Sequence, residues 1–345
     1  MVSWGLVMAA LMPVVTPAHA TNAPVAVILP LKSPDFRRAA DAVLSGIAAA
    51  RVALDSKAQI VVHETDGTPE STRQAFIEAL AGSPRAIIGP LTRSASQAIP
   101  MEALTVPTLA LNTVEFDTPT ASLWTYGLNV EAEAQQVASL ALNEARLSGS
   151  GTPGSGPTAI VLQGPGPLQK RSAQAFIAAF TLGGGSISAT LNVPSNGGAA
   201  LKRQVAQANP SIVFLALDAS QASNLRPWLR DANCWGTAQL NAGQRTVAID
   251  LDGVHFVDLP WLVNRSAAPL AAFVRNDAST QFGADLARLY ALGLDAWTIA
   301  LELARGTAAF DIDGATGRLT AVGNRVERRS AIAVFRDGAV QYDGN

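Results

Sequence analysis

The sequence is poor in the residues that covalent cross-links, metal sites and strongly charged surfaces require. A single cysteine, Cys234, among 345 residues excludes an intramolecular disulfide. Neither His63 nor His255 has a cysteine or histidine nearby at metal-ligand spacing. Charged residues make up 15% of the chain, against about 25% in an average globular protein. The net charge of -2 gives no electrostatic reason to expect a nucleic acid or an anionic membrane surface as partner.

The motifs of the common catalytic and nucleotide-binding sites are also missing. The sequence has no G-x-S-x-G elbow, no P-loop lysine motif and no complete G-x-G-x-x-G. Residues 164–167 supply two glycines at the dinucleotide-binding spacing, but Gln169 occupies the position of the third. The acidic segments 250–253 and 311–314 lack the further oxygen ligands of a calcium loop and are typical of turns. We therefore expect no enzymatic activity, no cofactor and no metal site.

The first 20 residues resemble a secretory signal peptide. An apolar run over residues 6–15 is too short to span a bilayer, and Ala18-His19-Ala20 has the small-x-small form of a cleavage site. No lysine or arginine precedes the apolar run, which departs from the usual pattern. No cysteine lies near Ala20 and no later run reaches 18 apolar residues. We expect a periplasmic chain without a lipid anchor or transmembrane segment.

What the sequence does contain is a regular alternation of strand and helix patterns. Short apolar runs separated by helical segments are typical of a doubly wound parallel sheet. A first set of such strands and a second set after a Gly- and Ser-rich stretch at 148–157 have similar lengths: 25–31, 59–63, 86–88 and 107–111, then 159–162, 186–193 and 211–217. The pattern predicts an α/β fold of two Rossmann-like doubly wound lobes joined by a multi-crossing hinge.

The expected path of the chain follows from these two sets. We predict lobe one from residues 24–125 plus about 236–305, the latter ending in the longest helical pattern. Lobe two takes residues 126–235 plus about 306–345, where glycine turns separate antiparallel hairpin strands.

The best candidate site follows the third and fourth strands of lobe one, because open α/β sheets bind ligands at the carboxyl ends of their strands. Hydroxyls of Thr92 and Ser94 at a helix N-terminus could receive a carboxylate, and Arg93 could add a two-pronged contact. The alternative is that Thr92 or Ser94 caps the helix while Arg93 is solvated. Asn112 and Thr113 follow the next strand and point to the same edge or form a turn.

Three further residues complete the set of cleft candidates. Asp218 ends an apolar strand of lobe two, where it could meet a ligand amine or cap the following helix. Ser33 lies in the loop after the first strand, and Tyr126 lies in the extended crossing at 122–130.

Several stretches of sequence resemble one protein family. They are VAVILPL, AIIGPLTRSA, VPTLALN, WTYGLNVEAEAQQVASLA, FGADLARLYALGLDAWTIA and DGATGRLTAVGNRVERRSAIAVFRDG, and together they span about residues 24–342. They are similar to the LppC/LpoA-like penicillin-binding-protein activators, within the type I periplasmic-binding-protein superfamily. The resemblance implies a Venus-flytrap architecture and a periplasmic regulator that contacts a bifunctional peptidoglycan synthase and stimulates its transpeptidase.

The alternative is a solute-binding receptor that delivers an amino acid or a similar small carboxylate to an ABC permease. Closure on such a ligand needs contacts from both lobes. Lobe two offers no charged or aromatic anchor in its first loop before Lys170, and this asymmetry favours the regulator. The better-known members of the family are lipoproteins with an additional helical-repeat domain, and neither feature is expected here.

Overall fold

A computed structural model describes residues 23–54, 56–112, 120–150, 156–193, 198–274, 277, 279 and 281–344. The predicted signal peptide lies outside these residues. The described strands are β1 Val25–Leu29, β2 Ile60–Glu64, β3 Ala86–Ile88, β4 Thr108–Ala110, β5 Leu123–Thr125, β6 Thr158–Gln163, β7 Ser186–Asn192, β8 Ile212–Ala216, β9 Cys234–Gly236, β10 His255–Asp258, β11 Asp311–Asp313, β12 Arg318–Val322, β13 Arg325–Arg329, β14 Ala331–Arg336 and β15 Ala339–Tyr342.

The helices alternate with these strands. They are α1 Arg37–Ala53, α2 Pro69–Ala81, α3 Arg93–Ser96, α4 Val130–Leu147, α5 Pro167–Leu182, α6 Gly198–Ala208, α7 Ala219–Leu225, α8 Arg245–Asp250, α9 Pro260–Val263, α10 Ala271–Val274 and α11 Ala284–Ala304. No helix in the described part of the chain combines the length and the apolar composition that a membrane crossing requires.

The strands form two sheets, which define lobe one and lobe two. Lobe one has eight strands in the order β11-β12-β13-β5-β4-β3-β1-β2, with β1 to β5 paired in parallel. Lobe two has seven strands in the order β15-β14-β10-β9-β8-β6-β7. The predicted pair of doubly wound lobes is confirmed. The chain passes between the sheets three times, after β5, after β10 and after β13.

Strand β1 shows why the apolar runs form sheets that are covered on both faces. Val25, Val27 and Leu29 pack in a cluster with α1 and α11, whereas Ala26 and Ile28 pack in a second cluster with α2. Successive side chains of a strand point to opposite faces, so a run that is apolar at every position needs a helix layer on each side. Lobe two repeats the arrangement, with α4 and α5 on one face and α6, α7 and α8 on the other.

The path of the chain differs from the prediction in two places. Strand β10, expected in lobe one, pairs with β9 and β14 in lobe two. Strands β11 to β13, expected in lobe two, extend the sheet of lobe one, and β13 pairs with β5. The chain therefore leaves lobe two after Asp258 and returns at Ser330. Apolar periodicity identifies a strand but carries no information about which of two similar sheets the strand joins.

Two glycines bring α1 and α11 together in lobe one. A Cβ atom on Gly46 would overlap the carbonyl oxygen of Tyr290, and a Cβ atom on Gly293 would overlap that of Val43. The two backbones are therefore in direct contact. This contact joins the first helix of the chain to the longest one, which is buried over most of its length.

Replacing Gly46 or Gly293 with alanine should force these helices apart. We expect each variant to lose about 1–3 kcal/mol of unfolding free energy, the usual range for an overpacked core. Urea unfolding followed by circular dichroism measures the loss. Gly283→Ala is the control, because a Cβ atom there meets nothing within 4 Å. A loss at Gly46 and Gly293 no larger than at Gly283 would contradict the close crossing.

Candidate functional site

A cleft between the two lobes has a volume of about 820 Å³. Lobe one, the first crossing and lobe two all contribute to its walls. The cleft is lined by Arg93, Leu111, Asn112, Gly127, Leu128, Asn129, Glu131, Ala132, Gln135, Leu168, Arg171, Arg325, Val326, Glu327 and Arg328. Its position at the carboxyl ends of β3 and β4 is the one expected for an open α/β sheet.

The loop after β3 reaches the cleft through a tight turn at Gly89. This residue has a φ of 111°, and a Cβ atom on it would overlap the carbonyl oxygen of Ile28. Only glycine fits both conditions without strain. The chain then enters the short helix α3, which carries Arg93 to the edge of the cleft.

Of the two predicted hydroxyl residues of this loop, Thr92 caps α3 and Ser94 lies within the helix. The Thr92 side chain accepts a hydrogen bond from the Ala95 N–H at 3.3 Å, and Ser94 lies 3.4 Å from the Thr92 hydroxyl. Arg93 and Asn112 do line the cleft. Asn112 also donates a hydrogen bond from Nδ2 to the Leu91 carbonyl at 3.2 Å, which fixes the loop. Thr113 lies outside the described residues.

The other three predicted residues do not line the cleft. Ser33 is 5% exposed and accepts the backbone N–H of Arg37 at its carbonyl oxygen. Asp218 caps α7, accepting the Gln221 N–H at 2.8 Å, while its own N–H donates to the Gln221 side chain. The capping alternative therefore describes Asp218 in this structure.

Tyr126 is in the core and not in the cleft, which corrects its prediction. It is 1% exposed, and its hydroxyl lies 3.2 Å from Asp295 Oδ2 and 2.6 Å from the Thr316 hydroxyl. Asp295 also accepts the N–H groups of Ala315 and Thr316, each at 2.7 Å. Burial raises the pKa of Asp295 and that of Tyr126. The cluster ties the first crossing to α11 and to the turn before β12.

The residues that sequence reasoning missed are charged residues from β13, α4 and α5. Arg325, Glu327 and Arg328 were assigned to lobe two, so their approach to the loop after β4 was not foreseen. The four charged residues among the five at 325–329, Arg-Val-Glu-Arg-Arg, were the signal available in the sequence. Arg171 is the residue directly after Lys170, the first charged residue in the loop and helix that follow β6.

One ion pair bridges α4 and α5 at the mouth of the cleft. Arg171 donates to both carboxylate oxygens of Glu131, through NH2 at 3.0 Å and through Nε. Partial burial acts to raise the pKa of Glu131, but the hydrogen bond from Arg171 and the charges of Arg171 and Arg93 hold it below its ordinary value. Arg93 belongs to lobe one and Glu131 to lobe two, so the positive charge of Arg93 acts on the Glu131 carboxylate from the opposite wall of the cleft.

A second group of charges, which we call the hinge network, lies where the chain passes between the lobes. Arg288 of α11 donates to Asp258, at the end of β10, over 2.8 and 3.0 Å. The same guanidinium donates to the carbonyl oxygens of Ala238 and Asn241 at 2.9 and 2.8 Å. Asp258 is 0% exposed and Arg288 is 8% exposed. Burial acts to lower the pKa of Arg288, but the charge and hydrogen bonds of Asp258, together with the charges of Glu133 and Asp285, outweigh burial and raise that pKa.

Arg328 extends the hinge network to the third crossing. It donates to Glu133 of α4 at 2.7 Å, and Glu133 also accepts the Ala238 N–H at 3.3 Å. Gln136 exchanges two hydrogen bonds with the backbone of Ser330, at 2.8 and 2.9 Å. Each of these contacts joins a residue at one crossing to a residue beside another.

No cluster of three or more His, Cys, Asp or Glu side chains suited to a metal ion occurs within the described ranges. Cys234 is buried and unpaired, and burial raises its thiol pKa to about 12.

A protein-family model described as "LppC putative lipoprotein" matches residues 6–150 and 168–338, which include strands of both lobes. The chain belongs to the LppC family. The predicted resemblance to this family is therefore confirmed.

Curated relatives of this LppC-family chain carry one name. The penicillin-binding protein activator LpoA of Edwardsiella piscicida is 28% identical over 325 residues, an alignment that includes 79% of this chain and 44% of the relative. The chain thus spans less than half the length of that relative.

Solved structures place the LppC-family chain among type I periplasmic-binding-protein-like folds. A protein of Chromobacterium violaceum described as a "putative branched-chain amino acid ABC transporter" is 30% identical, with a TM-score of 0.78 over 91% of this chain and 100% of the other. The LpoA (YraM) C-domain of Haemophilus influenzae, described as a regulator of PBP1A, is 22% identical, with a TM-score of 0.72 over 93% of this chain and 100% of the other. At that identity the second likeness shows the fold alone.

Removing Arg288 should leave Asp258 buried without its charged partner. We expect Arg288→Met to lower the unfolding free energy by about 3–5 kcal/mol, the usual loss when one member of a buried ion pair is removed. Arg73→Met is the control, because the pair of Arg73 with Glu70 is exposed and should be worth no more than about 1 kcal/mol. Equal losses in urea unfolding would show that the hinge network does not stabilise the fold.

Tyr126→Phe tests the placement of this residue in the core. Removing the hydroxyl takes one donor from the buried Asp295 carboxylate, and we expect a loss of about 1–3 kcal/mol of unfolding free energy. The same measurement on Asn112→Ala should give a smaller change, because Asn112 is only half-buried. A Tyr126→Phe protein as stable as the parent would contradict the cluster around Asp295.

Proposed function

We propose that this chain is a non-catalytic periplasmic module that regulates peptidoglycan synthesis by contacting a penicillin-binding protein. The observation that carries the proposal is membership of the LppC family over both lobes, together with relatives named as penicillin-binding protein activators. The partner would be a bifunctional peptidoglycan synthase. The chain spans 44% of its Edwardsiella relative. We propose that the two lobes themselves contact the synthase.

The chemistry of the cleft supports a binding role. Among the described residues its lining includes no serine, threonine, cysteine, histidine or lysine, so these residues offer no hydroxyl, thiol, imidazole or amine nucleophile. Of its two carboxylates, Glu131 is held by Arg171 and has a lowered pKa, which makes it a poor general base. The remaining side chains are suited to holding a charged partner in place.

A solute-binding receptor is the second candidate. The likeness to the Chromobacterium structure favours it, at 30% identity over nearly the whole chain, and so does an interlobe cavity of about 820 Å³. Receptors of this architecture close by a rotation about the hinge. The hinge network is compatible with both candidates, because it lies at the crossings themselves and any rotation would turn about it.

The regulator proposal is tested with the purified chain and the penicillin-binding protein encoded in the same genome. We expect the chain to bind the synthase in surface plasmon resonance and to increase the fraction of cross-linked product that the synthase makes. Serum albumin at equal concentration controls for non-specific protein effects. No binding and an unchanged cross-linked fraction would reject the proposal.

The receptor candidate is tested separately by thermal unfolding with a panel of the common amino acids. A ligand present at 100 times its Kd adds about 2.7 kcal/mol of stability, a shift that is easily measured. A shift with one amino acid, combined with no effect on the synthase, would favour the receptor over the regulator.

A further inference from the structure

We propose that the cleft binds an organic ligand with at least two oxyanion groups, held between arginines of lobe one and the start of α5 in lobe two. The ligand would be larger than a single amino acid. This inference concerns the cleft alone and does not require contact with a synthase. It also differs from the receptor candidate in the charge and size of the ligand.

The first argument is an excess of unpaired positive charge. Four arginines line the cleft against two glutamates. Arg171 is neutralised by Glu131, and Arg328 is held by Glu133 behind the wall. Arg93 and Arg325 are exposed, and neither side chain has a hydrogen-bond or ion-pair partner among the residues that the structure describes. Glu327 is likewise exposed and has no such partner within the described residues, so the unpartnered side chains of the lining carry two positive charges against one negative. The two arginines favour a ligand with two negative groups.

A buried donor in the same wall is also unsatisfied. The Arg328 side chain is 4% exposed, and its Nε has no hydrogen-bond partner within the described part of the chain. Its other nitrogens bind Glu133, Ser330 and the Thr316 carbonyl. This unsatisfied donor belongs to the wall formed by β13.

Lobe two adds the N-terminus of α5, a helix of 16 residues. The Gln169 side chain reaches back and accepts the N–H of Gly166 at 2.8 Å, and the first residue of the helix is Pro167, which has no N–H. The N–H groups of Leu168 and Gln169 are consequently among the first free donors, and Leu168 lines the cleft. By contrast, Asn129 caps α4 by accepting the N–H groups of Glu131 and Ala132 at 2.9 and 3.3 Å. The N–H groups of Leu168 and Gln169 thus remain donors at a helix N-terminus, an environment that favours an anion, and Leu168 brings this first turn to the wall of the cleft.

The apolar part of the lining indicates that the ligand has a carbon skeleton. Leu111, Leu128, Leu168 and Val326 share the walls with the arginines. Leu111 and Val326 are buried, but Leu168 is 49% exposed, and a compact inorganic anion would leave the Leu168 side chain in contact with water. A cavity of about 820 Å³ is also in the range that holds drug-sized ligands, well above the volume of one small anion. An extended molecule with separated carboxylates or phosphates fits both observations.

The test uses the peptide triglutamate as the probe, with triglutamine as its neutral isostere and pyrophosphate as a compact anion. Isothermal titration calorimetry with the full chain at low salt should show binding of triglutamate, weaker binding of pyrophosphate and none of triglutamine. Raising the salt should weaken the binding, because the contacts are partly exposed charges. Pyrophosphate binding more tightly than triglutamate would overturn the extended-ligand part of the proposal.

Variants locate the site. Arg93→Gln and Arg325→Gln should each weaken triglutamate binding about tenfold, the loss expected for one charge-assisted hydrogen bond. Arg73→Gln, on the exposed face of α2, is the matched control and should bind like the parent. Circular dichroism and thermal unfolding would confirm that the variants remain folded.

Two results would overturn the proposal: no binding of either anion to the parent chain, or equal affinity in the parent and in Arg93→Gln/Arg325→Gln. Neither measurement includes a synthase. A chain that stimulates the synthase but binds no anion would therefore retain the proposed function and lose this inference, and the converse result would do the opposite.

Discussion

The buried ion pair between Arg288 and Asp258 is the interaction on which the two-lobed structure depends. Two charges taken out of water are stable only when their remaining hydrogen-bonding groups are also satisfied. Here the carbonyl oxygens of Ala238 and Asn241 accept hydrogen bonds from the Arg288 guanidinium, and the Asn241 side chain donates to Asp258 at 2.8 Å. Because Arg288 comes from lobe one whereas Asp258, Ala238 and Asn241 come from lobe two, these buried contacts form only when the lobes are assembled.

The cleft depends on this assembly through β13. Arg328 belongs to the hinge network through Glu133 and also lines the cleft. Arg325, three residues earlier on the same strand, carries one of the unpaired charges. A change in the angle between the lobes would therefore move Arg325 relative to α5, while the buried end of the strand stays fixed by Glu133. Strand β13 therefore carries Arg328, which belongs to the hinge network, and Arg325, which lies in the cleft.

Local signals in the sequence predicted much of the fold and part of the site. The apolar run at Val25–Leu29 implied a strand covered on both faces, and Thr92 and Asp218 were weighed as helix caps, which they are. These features depend on neighbours within four residues. Other features depend on residues up to 200 positions away in the chain. They are the membership of β10 to β13 in the two sheets, the burial of Tyr126 and the approach of Arg325 to the cleft. No periodicity or cap encodes such pairings, so sequence reasoning placed Tyr126 in the cleft and left Arg325 out of it.

The close crossing of α1 and α11 at Gly46 and Gly293 has a consequence for the order in which the molecule can form. Lobe one needs α11 against α1 and then β13 beside β5, so its core stays incomplete until nearly the whole chain has been synthesised. Lobe two waits as well, since β10 pairs with β14. Neither lobe is a continuous piece of chain, and pairings between such distant segments slow folding. A fragment that ends before residue 330 would lack strands of lobe two, and one that begins after residue 60 would lack the partner of α11.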